Sequence, residues 1–351
     1  MRLGTVVIAF GVALAGCGRH SQERERPVGT ALAIRAPLGL PEMHAPGDNP
    51  VTLDTIALGR QLFYERRLSA NSSQSCASCH QLSRGFGDGQ KVSRGVTGAM
   101  GKRNAPTILN SAYASAHFWD GRAASLEEQA AGPIANPIEM NQTHEACVEN
   151  LNKDAVYRAA FERAFGPGPV TIGKVQKALA SFERTLLSGN SPFDRYQFGG
   201  DASAMSAVAV RGLAIFKDAN KGNCAACHTI EQRYALFTDG KFHNIGIGID
   251  SSGELVDPGR FAESKQEAER GAFKTPTLRN VATSAPYMHD GSLATLRDVV
   301  DYYVGGGNSN PNLDPKMKPL TLTRADREDL VAFLQSLTGE MPADAGPPGG
   351  R

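Results

Sequence analysis

The feature that most constrains this 351-residue chain is a CxxCH motif that occurs twice, as CASCH from Cys76 and as CAACH from Cys224. A longer match follows the motifs. PTILNSAYASAHFWDGRAASLEE from Pro106 aligns without a gap with PTLRNVATSAPYMHDGSLATLRD from Pro276, 170 residues later. The apolar segments ALGRQLFY and VRGLAIF precede the two motifs. Similarity at a fixed spacing indicates a duplicated unit, with helix, CxxCH, loop, PT segment, DG turn and helix in that order.

Other segments of the chain have the periodicity of helices. TIGKVQKALASFERTLLS places its apolar residues on one face, with Thr171 as N-cap. TRADREDLVAFLQSLTG does the same, with Thr323 as N-cap and Asp326 three residues later. No run of alternating apolar residues predicts a sheet. The sequence therefore predicts two mainly α domains, residues 49–200 and 201–340, joined by the loop SGNSPFDRYQFGGD, with an interface available for a shared site.

The two ends of the chain are expected to lie outside these domains. Residues 1–17 contain one arginine and the apolar run VVIAFGVALAG, which is too short to span a bilayer and is typical of a secretory signal. The junction LAGC resembles a bacterial lipobox, which predicts a lipid anchor on Cys17; a soluble periplasmic product is the alternative. Composition predicts a flexible tether over residues 18–48 and a disordered tail over residues 341–351.

The CxxCH spacing predicts covalently bound haem. The two thiols can form thioethers with the haem vinyl groups, and the adjacent His can coordinate the iron. Zinc and disulfides are the alternatives, but zinc-ribbon pairs lie about fifteen to twenty residues apart. Export also favours haem c, which is attached outside the cytoplasm. Two haem c groups are therefore expected. Their attachment residues are Cys76, Cys79 and His80 in the first half and Cys224, Cys227 and His228 in the second.

The duplication allows the far sides of the two irons to be compared. In the repeat register, Tyr303 of RDVVDYYVGGG falls opposite Pro133 of EEQAAGPIANPIEM. A phenol can coordinate iron and proline cannot, so the first haem is expected to have an open face. Tyr302 and Met288 are rival sixth ligands of the second haem, and neighbouring helical positions such as Tyr302 and Tyr303 point about a hundred degrees apart.

Three further residues are expected near the open face. Glu139 is the candidate acid–base group for peroxide cleavage, because a carboxylate can take a proton from one oxygen and return it to the other. Gln129 can orient bound peroxide but has no useful proton equilibrium. Trp119, the only tryptophan, lies beside the DG turn and opposite His289 in the repeat. The alternatives are a solvated loop carboxylate for Glu139 and a core aromatic for Trp119.

These motifs resemble the bacterial di-haem cytochrome c peroxidases and their relative MauG. The resemblance covers about residues 50–340 and rests on the two CxxCH sites with KRNAPT, FWDGR, EQAAGPIANPIEM, TPTLRN and PYMHDG in that order. It implies an oxidoreductase with two cytochrome c-like domains. In the first domain His80 would hold a peroxidatic haem, and in the second His228 would hold an electron-transfer haem.

The resemblance also implies roles for residues around the haems. The implied distal catalytic residues are Glu139 and Gln129, and the implied aromatic bridge between the haems is Trp119. A calcium ion is implied at the domain interface, where oxygen donors and water suit a hard cation. Its matching ligands are Asn104 and the backbone carbonyls of Ser284 and Pro286.

Two departures from the family pattern bear on mechanism. Typical members have Met as sixth ligand of the second haem, fourteen residues after the His of the HDG motif; that count from His289 gives Tyr303, as in MauG. Many also have a His in the loop after the first CxxCH, but residues 81–116 contain none. A phenolate favours higher oxidation states than a thioether does. The resting ferric protein is therefore expected to react with peroxide without prior half-reduction, and Trp119 to share the oxidising equivalents between both haems.

Three functions follow from this reasoning. A peroxidase would reduce hydrogen peroxide with electrons from a small periplasmic cytochrome c or copper protein. A MauG-like oxidase would modify a protein or a small molecule, although FKDANKGN, ahead of the second CxxCH, has only Phe216 where MauG uses a surface Trp. Pro133 argues against the third function, a non-enzymatic electron carrier, because carriers normally have both axial positions filled. The net charge of +1 indicates no nucleic-acid partner. A homodimer and a monomer both fit the sequence.

Overall fold

A computed structural model describes residues 25–349 of the chain. The predicted signal peptide and its lipobox Cys17 lie outside the described residues. Between residues 25 and 349 no helix combines the length and the apolar character needed to cross a bilayer. Apart from isolated bridges, the only strands in this part of the chain are β1 (Phe242–His243) and β2 (Phe273–Lys274), which pair antiparallel with Phe242 opposite Lys274. The predicted mainly α fold is confirmed.

Eleven α-helices run along residues 25–349. Those of the first half are α1 (Leu53–Phe63), α2 (Cys76–Cys79), α3 (Leu126–Ala135), α4 (His144–Lys153), α5 (Ala155–Phe165) and α6 (Ile172–Glu183). Those of the second half are α7 (Pro192–Gln197), α8 (Ala207–Lys217), α9 (Phe261–Ser264), α10 (Leu296–Val304) and α11 (Arg324–Gln335). Short 3-10 turns connect them at Arg66–Leu68, Leu82–Arg84, Ser111–Tyr113, Cys224–Ala226, Glu267–Glu269 and Val281–Thr283.

The two helices with predicted N-caps begin at those caps. Thr171 caps α6, and Thr323 forms a capping box with Asp326 at the start of α11. The loop predicted between the domains differs, because it contains α7. There Ser191 and Asp194 form a second capping box, and a proline occupies the first helical position, where its missing N–H costs nothing.

The two halves repeat the same backbone. Helices α3 and α10 begin 170 residues apart, each behind a hydroxyl N-cap, Ser125 or Thr295. Upstream of them, Asn110 and Asn280 adopt left-handed conformations with φ of 61° and 57°, which asparagine tolerates better than most residues. The duplication inferred from sequence is therefore present in three dimensions, in register.

Each half is built on one pair of closely packed helices. Helix α1 crosses α6 at Gly59, and α8 crosses α11 at Gly212. A β-carbon at Gly59 would overlap the carbonyl of Ala178, and one at Gly212 would overlap the carbonyl of Asp329. The two crossings thus need glycine for close approach of the backbones, and this explains why both apolar segments ahead of CxxCH contain one.

Two separate hydrophobic cores surround these helix pairs. The large buried aromatics are Phe63, Phe86, Phe161 and Phe182 in the first core and Phe193, Phe216, Phe237 and Phe333 in the second. Because Phe193 lies on α7, packing divides the chain slightly before the predicted boundary at residue 200. Edge-on contacts of the Phe193 ring with Phe237 and Phe333 hold α7 against the second half.

The segment before the first domain is packed, in contrast to the flexible tether expected over residues 18–48. Its described part, residues 25–48, has neither helix nor strand. However, Leu40 and Met43 are buried against Leu187 in a small cluster of their own. Apolar residues of this segment pack against the folded chain, which composition alone did not reveal. The expectation of a tether is therefore wrong for residues 25–48.

The C-terminal tail is also packed where disorder was expected from residue 341 onward. Ala345 is buried in the first core, and its carbonyl accepts a hydrogen bond of 2.7 Å from the Tyr64 hydroxyl. The Arg60 guanidinium donates to the carbonyl of Gly346. The tail therefore returns from the second domain to the first, and the prediction of disorder is wrong for its described part.

A buried ion pair joins four separate parts of the chain. The guanidinium of Arg279 donates two hydrogen bonds of 2.9 Å to the carboxylate of Asp194, and both side chains are at most 1% exposed. Its remaining donors bind the carbonyls of Ala235 and Gly39. Each of the three guanidinium nitrogens therefore has at least one hydrogen-bond acceptor, as burial of a charge requires.

Arg279→Ala is expected to lower the free energy of unfolding by about 3–5 kcal/mol, because it leaves the buried Asp194 carboxylate unpaired. Arg324→Ala is the matched control, since its pair with Glu328 is exposed on α11 and is worth about 0.5 kcal/mol. Urea denaturation followed by far-UV circular dichroism measures both. Equal losses in the two variants would contradict the assigned role of Arg279.

Candidate haem sites

Two cavities follow the two CxxCH motifs. The first, of about 1190 Å³, collects the residues predicted around the first haem, namely Cys76, Cys79, His80, Trp119, Gln129, Pro133 and Glu139. The second, of about 250 Å³, collects those predicted around the second haem, namely Cys224, Cys227, His228 and Tyr303. The cavities share a wall that includes Trp119 and Lys274.

The histidines of both motifs are held in the same way. Nδ1 of His80 lies 3.0 Å from the carbonyl oxygen of Phe86, and Nδ1 of His228 lies 2.8 Å from that of Phe237. Both phenylalanines adopt positive φ, 61° and 52°, which turns their carbonyls toward the rings. A proton on Nδ1 leaves the lone pair of Nε2 for a metal. Burial lowers the pKa of both imidazoles, which favours this neutral form.

The cysteines fit haem attachment better than the alternatives. All five cysteines in residues 25–349 are free thiols, and burial raises the pKa of Cys76 and of Cys224 to about 12. A structural zinc site needs four ligands in one place, but the two CxxC pairs line different cavities. The one cluster of metal-ligating side chains among the described residues contains a single thiol, Cys227, with Asp239 and His243. The residues present therefore fit one covalently attached haem in each cavity.

Helix α3 presents its far-side residues to the first cavity. Gln129 and Pro133 are four residues apart and therefore lie on one face of the helix, and both line the cavity. The Gln129 amide makes no side-chain hydrogen bond to any residue in the described range, so it is free to bind a ligand. The side chain of Pro133 has no atom that can coordinate iron.

Glu139 lines the same cavity and is oriented by a residue that sequence reasoning missed. Nδ2 of Asn136 donates to the Glu139 carboxylate at 2.7 Å, while Oδ1 of Asn136 accepts from the backbone of Ile138 at 3.1 Å. Burial raises the pKa of Glu139, although Arg122 and Asn136 act in the opposite direction. Glu139 is thus a partly buried carboxylate held by Asn136 rather than a fully solvated one, and the Asn-Pro turn before it was the available sequence signal.

The second cavity distinguishes between two of the rival sixth ligands. The Tyr302 hydroxyl donates to the carbonyl of Ile245 at 2.7 Å and accepts from the backbone N–H of Asn308, so it is already bound. The Tyr303 hydroxyl has no such partner in residues 25–349, and Tyr303 lines the cavity. Burial and the nearby cysteine thiols raise the pKa of Tyr303. Met288 lines the cavity as well.

The shared wall is held by a reciprocal pair of backbone hydrogen bonds between the halves. The N–H of Asn104 donates to the carbonyl of His289 at 2.7 Å, and the N–H of Lys274 donates to the carbonyl of Trp119 at 2.8 Å. These pairs are related by the 170-residue repeat. Nε1 of Trp119 also donates to the carbonyl of Asn104 at 2.9 Å, and the rings of Trp119 and His289 meet at 6.4 Å. Trp119 therefore lies between the cavities.

The residues implied as calcium ligands lie together on the wall of the second cavity. Asn104, Ser284 and Pro286 all line it. Nδ2 of Asn104 donates to the carbonyl of Gln90 at 2.8 Å, and this leaves Oδ1 of Asn104 without a donor among the described residues. Oxygen atoms of amides and carbonyls are donors that suit calcium.

Three more ionisable residues line the first cavity and were missed by sequence reasoning. Glu183 is buried at the end of α6, and burial raises its pKa to about 8. His117 is buried too; burial, with Lys274 nearby, lowers its pKa to about 4. Burial likewise lowers the pKa of Lys274. No local pattern marks these residues, because their burial depends on contacts between distant segments.

The fold is a helical duplication in which a CxxCH motif lines each of two cavities. This combination defines a di-haem c-type cytochrome. Residues 54–203 match the family described as di-haem cytochrome c peroxidase, and residues 209–338 match cytochrome c. The chain is 44% identical over 313 residues to methylamine utilization protein MauG of Methylorubrum extorquens, covering 89% of this chain and 86% of that protein. It is 37% identical to cytochrome c551 peroxidase of Nitrosomonas europaea, covering 84% of this chain and 82% of that protein.

A solved structure agrees with these sequence relatives. A MauG-like protein associated with microbial copper homeostasis superimposes with a TM-score of 0.79 at 33% identity, covering 88% of this chain and 96% of that chain. The chain therefore belongs to the di-haem cytochrome c peroxidase family. It is an oxidoreductase with two cytochrome c-like domains and two c-type haems, as the sequence predicts.

Glu183→Gln is expected to stabilise the holoprotein increasingly as pH rises. The folded-state pKa of Glu183 is raised to about 8, whereas an unfolded glutamate titrates near 4.3. The stability that depends on a protonated Glu183 is therefore fully present below the unfolded pKa and is lost as pH rises through about 8. Urea denaturation at pH 5 and pH 8 should show the gain of the variant growing by about 2–4 kcal/mol.

Glu127→Gln provides the matched control with the opposite sign. Burial acts to raise the pKa of Glu127, but hydrogen bonds from Arg184 at 2.7 Å and 3.0 Å lower it. That pair contributes stability above the unfolded pKa of Glu127, so its variant should lose stability at pH 8. A gain of the Glu183 variant that did not depend on pH would contradict the assignment.

Proposed function

We propose that this protein reduces hydrogen peroxide to water at its first haem, with electrons that a small periplasmic cytochrome c or copper protein delivers through the second haem. The observation that carries this proposal is the difference between two equivalent helix positions. Pro133 on α3 faces the first cavity without a metal-binding atom, and Tyr303 on α10 faces the second with a phenol. A haem with one vacant axial position binds and activates peroxide, whereas a haem with two ligands transfers electrons.

Glu139 is the proton carrier of the proposed reaction. The carboxylate accepts a proton from the peroxide oxygen nearer the metal and returns it to the departing oxygen. Its hydrogen bond from Asn136 holds it toward the cavity, and burial raises its pKa toward the range in which it can both accept and donate. Gln129, whose amide is free, orients the second peroxide oxygen.

Trp119 is the proposed route for electrons between the two haems. Its indole lines both cavities, and its N–H is fixed on the Asn104 carbonyl. A calcium ion bound by Asn104, Ser284 and Pro286 would hold the same wall rigid. We also propose export to the periplasm, with a lipid anchor on Cys17.

A MauG-like oxidase is the second candidate function. A tyrosine facing the second haem favours it, because a phenolate stabilises higher oxidation states. Against a protein substrate, Phe216, the only aromatic residue just ahead of the second CxxCH, is 1% exposed and packs on Phe333. No aromatic surface is thus offered there to a partner. Steady turnover of peroxide with reduced cytochrome c supports the peroxidase, and its absence supports the oxidase.

The diferric holoprotein is expected to react with one equivalent of peroxide without prior reduction. EPR and optical spectra should show one high-spin haem that binds cyanide and one low-spin haem that does not. Tyr303→Phe should change the low-spin signal, whereas the matched variant Tyr302→Phe should leave it unchanged, because Tyr302 is bound to Ile245. Two low-spin haems that ignore both cyanide and peroxide would leave only an electron carrier.

Glu139→Gln is expected to lower kcat/KM for peroxide about 10²- to 10⁴-fold, the usual contribution of a positioned proton carrier. Cyanide should still bind, because the vacant axial position does not depend on the carboxylate. In the native protein the rate should fall as pH drops below the pKa of Glu139, which burial raises above its ordinary value. The variant should lose this acid limb. Stopped-flow measurements between pH 4 and pH 8 test both statements, and an unchanged acid limb would assign the proton transfer elsewhere.

A further inference from the structure

Lys274 occupies the shared wall between the two cavities. It is the last residue of β2, its backbone N–H is bound to the carbonyl of Trp119, and the residue lines both cavities. In the repeat register it is the counterpart of Asn104, which makes the reciprocal backbone hydrogen bond to His289. The two halves therefore place an amide and an ammonium at equivalent positions of one interface.

The ammonium group of Lys274 has no partner among residues 25–349. No described carboxylate forms an ion pair with it, and no described carbonyl accepts a hydrogen bond from its Nζ. The buried lysines Lys174 and Lys177 differ from it, because Lys174 donates to the carbonyl of Pro169 at 2.9 Å and Lys177 donates to that of Asp48 at 3.0 Å. Lys274 is partly buried, and a partly desolvated ammonium without a protein partner favours binding of an anion from outside the polypeptide.

The groups around Lys274 do not supply that anion. His117 of the first half lies close enough to Lys274 for that charge, together with burial, to lower the pKa of His117 to about 4, so its imidazole is neutral. Glu127 lies near His117 but is bound to Arg184. The carboxylate of Asp257, which lines the first cavity, is likewise bound, to Arg103. An anion is therefore expected to enter with the ligands of the cavities themselves.

Haem brings such anions, since each haem carries propionate carboxylates. We propose that Lys274 is a shared counter-ion that pairs with propionates of both haems and thereby links their midpoint potentials through one positive charge. A nearby cation favours the reduced form of each iron, because the ferrous haem carries less positive charge than the ferric one. The inference rests on haem occupying both cavities, as in the proposed function, and does not depend on peroxide turnover.

Lys274→Met is expected to lower both midpoint potentials, because it removes the charge and keeps the length of the side chain. At a fixed potential the ratio of oxidised to reduced protein should rise about tenfold at each haem, which corresponds to about 59 mV for one electron. Lys274→Arg should restore most of the shift. Lys241→Met is the matched control, since Lys241 is exposed just ahead of β1 and lines neither cavity.

Potentiometric titrations of the holoproteins, followed by optical and EPR spectroscopy, make the measurement, and the pyridine haemochrome assay counts haems per chain. Unchanged potentials, or a shift confined to one haem, would overturn the inference. If the methionine variant holds fewer than two haems, resonance Raman spectra of Lys274→Arg decide. Altered propionate bending bands of both haems would support the inference, and unaltered bands would refute it. If Lys274→Met shifts both midpoint potentials but the native protein does not turn over peroxide, the proposed function is wrong and this inference still holds.

Discussion

The arrangement of both haem sites depends on two reciprocal backbone hydrogen bonds that join the halves of the chain. Asn104 binds the carbonyl of His289, and Lys274 binds that of Trp119. The internal repeat relates these two bonds to each other, so each half donates one bond and accepts the other. The segments they join form the common wall of both cavities. One interaction thus fixes the domain interface, brings Trp119 between the cavities and sets the separation of the two proposed redox centres.

A shared backbone with different side chains explains how one duplicated unit supports two tasks. The features that hold a haem are the same in each half: two thiols, an adjacent histidine, and a phenylalanine carbonyl that fixes the imidazole. The features that face the other side of the metal differ, because α3 carries Pro133 where α10 carries Tyr303. This difference leaves the packing of Gly59 and Gly212, on which each half is built, undisturbed.

Sequence reasoning succeeded where the information is local and failed where it depends on tertiary contacts. Thr171 and Thr323 cap helices as predicted, because a cap acts on the residues next to it. The packing of residues 25–48 could not be predicted, since it depends on Leu187 and Arg279, far along the chain. Glu183 and Lys274 were missed for a related reason: charged residues are normally exposed, and only the assembled cavities show that Glu183 is buried and Lys274 partly buried.

Pro133 illustrates how a departure from local preference marks a functional position. A proline inside a helix removes one backbone hydrogen bond and costs about 3 kcal/mol relative to alanine. Pro133 nevertheless lies within α3, while its counterpart in α10 is an ordinary helical residue. Pro133 lines the first cavity. The position is understandable if its requirement is chemical: a residue that bounds the vacant side of the haem, cannot bind iron, and holds Gln129 and Glu139 around the space that peroxide would occupy.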